Sequence, residues 1–194
     1  MTSFVHDNIR EATAVLESLA DLEVAVGDAV SLIHHALTTG HKLLTCGNGG
    51  SAADAAHLST EFVGRFDRDR RPYPAICLAA HAGNLTAIAN DYAFNDVFSR
   101  QVEGFGNAGD ILIVFSSTGQ SENVYRALTS ADRLGINTIA LLGREGGRCA
   151  GRSTVELIVR SNSTARIQEA HKFLLHTICE LVESELAQNS NPSS

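Results

Sequence analysis

Five short, nearly unbroken apolar runs constrain this chain more than any other feature. They are KLLTC at 42–46, PAICLA at 74–79, DILIVF at 110–115, INTIALL at 136–142 and TVELIV at 154–159. Each is short for a helix and is soon followed by Gly, Ser or Asn, the pattern of strands buried on both faces. Helical spacing fills the stretches between and after them, at 51–64, 84–90, 96–105, 121–134 and 164–187. Strands alternating with helices imply right-handed crossovers, hence an α/β three-layer sandwich with a five-stranded parallel sheet between helical layers. Ahead of the first strand, Ile9, Ala12, Val15, Leu16 and Leu19, then Val24, Val30, Ile33 and Leu37, recur at helical spacing and stop at Gly40. They predict two extra N-terminal helices within 1–39. In such sheets ligands bind beyond the strands' carboxyl ends, near a switch in strand order, so the loops after the first and third strands matter most.

The 194 residues suit one domain spanning 1–194, with a frayed tail QNSNPSS at 188–194. With 15 Lys+Arg against 22 Asp+Glu the net charge is −7, a field that repels polyanions and argues against a nucleic-acid partner. A phosphate-bearing ligand must then be small and held by a local device. No apolar run approaches the ~18 residues of a membrane span, and MTSFVHDNIREA carries charges where a signal peptide is apolar, so a cytoplasmic protein without membrane contact is expected. Cys46, Cys77, Cys149 and Cys179 are far apart and read as buried free thiols. The segment DRDRRPYP at 67–74 reads as a solvated connection for most of its charges.

After KLLTC come Gly47, Asn48, Gly49, Gly50 and Ser51, and then a helix. Glycines allow close backbone approach to a ligand, and Ser51 reads as an N-cap beside free N–H groups. Neither a dinucleotide fingerprint nor a Walker loop is completed, and a tight turn with a capped helix accounts for the glycines about as well. After DILIVF the chain reads Ser116, Ser117, Thr118, Gly119, Gln120, Ser121. Four hydroxyls at one strand-to-helix turn favour a phosphate cradle, since capping alone needs only one. On the helix after the first loop, His57 and Glu61 are four apart and share a face, able to bind a divalent metal or act as an acid/base pair.

The last helix carries Gln168, Glu169, His171 and His176. Its apolar residues Ile167, Phe173, Leu174, Leu175, Ile178, Leu181 and Val182 cover more than one face, so packing against both the sheet and another subunit is expected, a homo-oligomer. Taken from this helix alone, His176 reads as a hydrogen-bonded core histidine.

Assembled, the chain resembles the sugar isomerase (SIS) fold, a flavodoxin-like arrangement, and within it the phosphoheptose isomerases. The resemblance is carried by CGNGGSAADAAHLSTEFVGRF at 46–66, AIANDYAFNDVFSRQVE at 87–103, SSTGQS at 116–121, GREGG at 143–147 and ARIQEAHKFLLHTICELVE at 165–183. It implies that Asn48, Gly49, Gly50 and Ser51 hold the sugar chain, that Asn90 and Asp91 touch its hydroxyls, and that Ser116, Ser117, Thr118 and Ser121 hold the phosphate. It further implies one Zn²⁺ per subunit on His57, Glu61, Gln168 and His176, with Glu61 and His176 serving proton transfer and Glu61 and Gln168 also touching substrate. The family usually reads Ser-Thr-Ser-Gly-Asn-Ser in the third loop; here the second and third hydroxyl residues are exchanged and Gln120 replaces Asn. Gln168 and His176 are eight residues apart, roughly 12 Å of rise and about 80° of rotation on a regular helix. One ion reaches both only if Gln168 precedes the regular helix, the helix kinks, or ligands come from different subunits, and the last is favoured.

The implied activity is an aldose–ketose isomerase turning D-sedoheptulose 7-phosphate into D-glycero-D-manno-heptose 7-phosphate through a metal-assisted enediolate. The implied setting is the first step of nucleotide-activated heptose synthesis for lipopolysaccharide, capsule or another surface glycan, in a homotetramer. The rivals are a non-catalytic SIS protein of the DnaA initiator-associating type, whose matching positions lack the full His57, Glu61, Gln168, His176 set, and an isomerase of another sugar phosphate such as arabinose 5-phosphate.

Overall fold

The computed structural model describes residues 3–189. Strands β1 (Leu43–Gly47), β2 (Ala75–Cys77), β3 (Ile111–Ser116), β4 (Asn137–Gly143) and β5 (Val155–Val159) form one parallel sheet in the order β2-β1-β3-β4-β5. All five expected strands are present; β2 is shorter than the run PAICLA because, at the sheet edge, it pairs only with β1, from Leu43↔Ala75 to Thr45↔Cys77. The order reverses between β1 and β3, whose register runs from Leu43↔Ile111 to Gly47↔Phe115, so both expected loops leave from neighbouring strand ends.

Alternation along the buried strands splits the interior in two. Leu43, Ile111, Ile113, Phe115, Ile139 and Leu141 face a core shared with helices α2 (Glu23–Thr38), α3 (Gly50–Val63) and α7 (Thr164–Asn189). On the other face, Leu44, Cys46, Leu112, Val114, Ala140 and Leu142 meet α5 (Ser99–Phe105) and α6 (Glu122–Arg133), with α4 (Ala82–Asp91) at the flank. Helix α1 (Phe4–Ser18) precedes a 3₁₀ turn at Leu19–Leu22 that leads into α2, giving the two expected leading helices. Helix α1 contributes no fully buried residue. Helix α7 continues through Asn189, two residues past the expected end, and the rest of the 188–194 tail lies outside the described residues. Among the described residues no helix is long and apolar enough to cross a membrane.

Helix α7 decides which histidine is core. Ile167, Ala170, His171, Leu174, Leu175, Ile178, Cys179, Val182 and Leu186 make its buried stripe, at the spacing of a helix face. His171, fully buried, falls on that stripe, whereas His176 falls on its flank and is only half-buried, so the core reading of His176 is corrected by the phase of the helical repeat. Burial drives the His171 pKa down to about 4, outweighing the Leu142 backbone and the Asp54 charge that favour protonation. Neither ring nitrogen has a well-formed hydrogen bond, and a neutral ring avoids burying an unpaired charge there. All four cysteines are free thiols as expected; Cys77 is half-buried and the other three are buried.

The segment after α3 departs from a purely solvated connection. Glu183, on α7, accepts hydrogen bonds from the backbone amides of Phe66 (3.2 Å), Asp67 (2.9 Å) and Arg68 (2.9 Å), and from Arg70 Nε at 2.8 Å. Arg70 also donates to the carbonyls of Glu61 and Phe62, closing the carboxyl end of α3 against α7. Its other charged residues, Asp67, Arg68, Asp69 and Arg71, are exposed. Burial alone would raise the Glu183 pKa; the Arg68 and Asp67 amides, with Arg70 and the Phe66 amide, prevail and hold it below its ordinary value. A depressed folded pKa adds stability above the unfolded-state pKa that is lost as pH falls through the folded one. Glu183→Gln should therefore cost about 2–3 kcal/mol in urea unfolding at neutral pH. The gap between variant and wild type should close as pH drops below the usual carboxylate range.

Candidate active site

Strand β1 ends at Gly47, and α3 begins at Gly50 with Gly49 in the N-cap place. Gly49 adopts φ +57, which glycine takes at little cost, and this turns the chain into the helix early. Ser51 is consequently not the cap expected from sequence: it lies inside the first turn, 3% exposed, its amide bonded to the Asn48 carbonyl at 3.0 Å. The Asn48 side chain forms a reciprocal pair with Asn123 of α6, each Nδ2 donating to the other's Oδ1 at 2.9 Å. This pair ties the first loop to the helix that follows the second.

In the second loop, Ser116 is buried and its Oγ accepts from the Gly119 amide at 3.1 Å, while Thr118 Oγ1 accepts from the Gln120 amide at 3.2 Å. Two of the four hydroxyls therefore brace their own turn. Ser117 is half-buried, and Ser121 stands at the N-cap of α6 without a side-chain capping bond, its Oγ 3.5 Å from Ser116 Oγ. The turn leans on the GREGG segment and the short turn after it, where the Cys149 amide donates a hydrogen bond to the Gly119 carbonyl at 3.1 Å. A Cβ at Gly119 would collide with the Gly146 carbonyl.

Helices α3 and α7 pack side by side, and their facing residues form a ladder. Gln168 lies over Gly50, where a Cβ would strike its amide. Lys172 Nζ is 2.8 Å from Asp54 Oδ1 and 2.8 Å from His57 Nδ1. His57 Nε2 is 2.6 Å from Glu61 Oε1, and the His57 and His176 rings meet edge-on with centroids 5.1 Å apart. An ammonium only donates, so His57 Nδ1 presents its lone pair and Nε2–H donates to Glu61. Desolvation pushes the His176 pKa below its ordinary value, helped by the neighbouring His57 and Lys172 and opposed by Glu61.

The structure thus brings His57, Glu61 and His176 together, at the end of a helix that starts in the first loop. Gln168 lies inside α7 and separately, toward Gly50, with Lys172 between it and His176. Asn90 and Asp91 sit exposed at the end of α4, where Asn90 Nδ2 donates to Asp91 Oδ1 at 2.8 Å. The donor types of His57, Glu61 and His176 suit a borderline divalent cation. As they stand, no three His, Cys, Asp or Glu side chains among the described residues are arranged to hold an ion. Sequence reasoning missed Asn123, Asp54 and Lys172. The last two lie one turn from His57 and from Gln168, a spacing that could have marked them.

A family model described as SIS domain matches residues 8–143, well over half of the chain. The chain belongs to the SIS-domain family. A phosphoheptose isomerase from Geobacter sp. (strain M21) is 46% identical over 192 residues, covering 98% of this chain and all of the relative. One from Coxiella burnetii is 43% identical over 187 residues, 95% of this chain and 92% of the relative. The solved phosphoheptose isomerase of Neisseria gonorrhoeae superposes with a TM-score of 0.87 at 38% identity, covering 93% of this chain and 97% of that one. That of Francisella tularensis gives 0.90 at 33%, covering 95% and 100%. Within the SIS family this chain groups with the phosphoheptose isomerases, and it is an isomerase.

If the Asn48–Asn123 pair couples the two loops, Asn123→Leu should cost about 1–3 kcal/mol, the penalty of leaving the Asn48 amide unpaired. Denaturant unfolding measures the cost. Amide hydrogen exchange should rise at residues 48–52, and unchanged exchange there would exclude the coupling.

Proposed function

We propose that the protein converts D-sedoheptulose 7-phosphate into D-glycero-D-manno-heptose 7-phosphate, feeding nucleotide-activated heptose for a surface glycan such as lipopolysaccharide or capsule. One observation carries the reading. A carboxylate and two imidazoles, Glu61, His57 and His176, converge where α3 packs on α7, and α3 itself grows out of the Asn48–Gly50 loop, whose strand neighbours the one that ends in the hydroxyl-lined turn.

Ser116, Ser117, Thr118 and Ser121 anchor the phosphate, with the N-terminus of α6 adding its favourable field. Asn48, Gly49, Gly50 and Ser51 take the sugar chain, Gln168 stands beside Gly50, and Asn90 with Asp91 reach the hydroxyls. Glu61 removes a proton from C1 of the ketose, and the C1–H electron pair forms the C1–C2 double bond of an enediolate. His176, kept neutral by its lowered pKa, moves the hydroxyl proton between O1 and O2. Glu61 then returns its proton to C2, completing the aldose with atoms and electrons conserved. His57, Glu61 and His176, with Gln168, are the proposed Zn²⁺ donors; a bound divalent cation supplies positive charge beside the developing oxyanion.

Assembly as a homotetramer in the cytoplasm completes the proposal. Leu16, Phe173 and Leu181 are exposed around a groove between the N-terminal helices and α7, an apolar surface suited to another subunit.

The test is NMR of the protein with sedoheptulose 7-phosphate in D₂O, where an aldose phosphate carrying deuterium at C2 should form. Glu61→Gln should slow turnover at least about a hundredfold with binding largely kept. No aldose from the wild type would refute the substrate assignment. Wild-type exchange in Glu61→Gln would pass the base role to His176.

A further inference from the structure

Lys172 stands where a metal ion would have to work. On α7 it lies midway between Gln168 and His176, four residues from each. Its ammonium bridges Asp54 Oδ1 and His57 Nδ1 at 2.8 Å each. Both nitrogens of His57 are then committed, Nδ1 as acceptor from Lys172 and Nε2 as donor to Glu61 at 2.6 Å. Coordination through Nε2 would move the ring proton to Nδ1, where it would face the ammonium donor to donor. Coordination through Nδ1 needs the position that Lys172 Nζ already fills. Either route requires the ammonium to leave.

The surroundings allow that exchange. The Lys172 side chain is 35% exposed and can swing to solvent on its flexible stem, whereas the Asp54 side chain is 8% exposed and cannot follow. A buried carboxylate stripped of its cation is costly, so whatever replaces the ammonium should itself be positive. Asp54 meets the ammonium on one side of His57 and Glu61 meets the ring's Nε2 on the other, so two carboxylates flank the imidazole, a setting that suits a divalent ion.

We propose that the Lys172 ammonium and a divalent cation are alternative occupants of the α3–α7 site. Lys172 acts as a positioning residue that sets the His57 tautomer when no metal is bound and must be displaced for metal to load. The inference rests on the metal reading above and adds a competitor to it.

The experiment measures Zn²⁺ affinity of the full-length, chelator-stripped protein by competition with a chromophoric chelator. The variants are Lys172→Met, the double variant Asp54→Asn/Lys172→Met, and His57→Ala. Removing the competing charge should tighten Zn²⁺ binding by at least about tenfold over wild type, and His57→Ala should abolish it. The double variant leaves no unpaired buried charge, so it carries the test if Lys172→Met alone does not fold. Equal affinity in wild type and both Lys172 variants would overturn the competition while leaving the metal site intact. No Zn²⁺ binding above the His57→Ala level in any variant would overturn both readings.

Discussion

The close, parallel packing of α3 on α7 is the constraint on which the rest of the molecule depends. At one end Gly50, without a Cβ, leaves room for the Gln168 amide on the start of α3. At the other end Glu183 and Arg70 close it, joining α7 to the last carbonyls of α3 and to three successive loop amides. Between these ends the facing side chains are held within reach of one another. Asp54, His57, Glu61, Lys172 and His176 are brought together by two helices held at fixed spacing. Each helix is anchored by apolar residues, Ala55, Leu58 and Phe62 on α3 and the buried stripe of α7.

Magnitudes separate the interactions that matter from those that decorate the surface. The Arg133–Glu103 pair is 65% and 47% exposed, and such pairs contribute about 0–1 kcal/mol. Each buried Leu or Ile in the two cores contributes roughly 1.5–3 kcal/mol relative to exposure. The Arg70–Glu183 pair, 13% and 4% exposed, belongs to a third class. Desolvating it is costly, and the bonds it makes to both backbone and side chain offset that cost, so it fixes geometry more than it adds net stability. The Asp54–Lys172 pair shares this character, with one partner free to leave.

The fold was legible because the apolar runs are period-free and separated by helical stretches, leaving a parallel sheet as the natural way to bury them. Its loops were legible for the same reason: once β1 and β3 are neighbours, the Gly-rich and hydroxyl-rich turns must share one edge. The site was legible only in part. His57 and Glu61 are joined by local helical spacing, which sequence displays. The approach of Lys172 to His57 depends on the phase and stagger of two helices 115 residues apart, which it does not. The same limit explains why His176 read as a core residue while His171, five positions earlier, holds that place. The capping role given to Ser51 failed because Gly49, with its positive φ, starts the helix first. The separation of Gln168 from His176 was foreseen from helical rise alone, and Lys172 occupies the space between them.

The proposed function requires one sugar phosphate to meet both the hydroxyl turn after β3 and the Glu61–His176 cluster farther along α3, a reach that a site shared between subunits provides. A crystal structure with sedoheptulose 7-phosphate bound tests it most directly. The account predicts the phosphate oxygens about 2.7–3.2 Å from donors of the Ser116–Ser121 turn, with C1 and C2 of the sugar within about 3–3.5 Å of the Glu61 carboxylate. A sugar phosphate bound instead in the polar hollow at the opposite end of β4 and β5, beside Arg152 and Thr154, would contradict it.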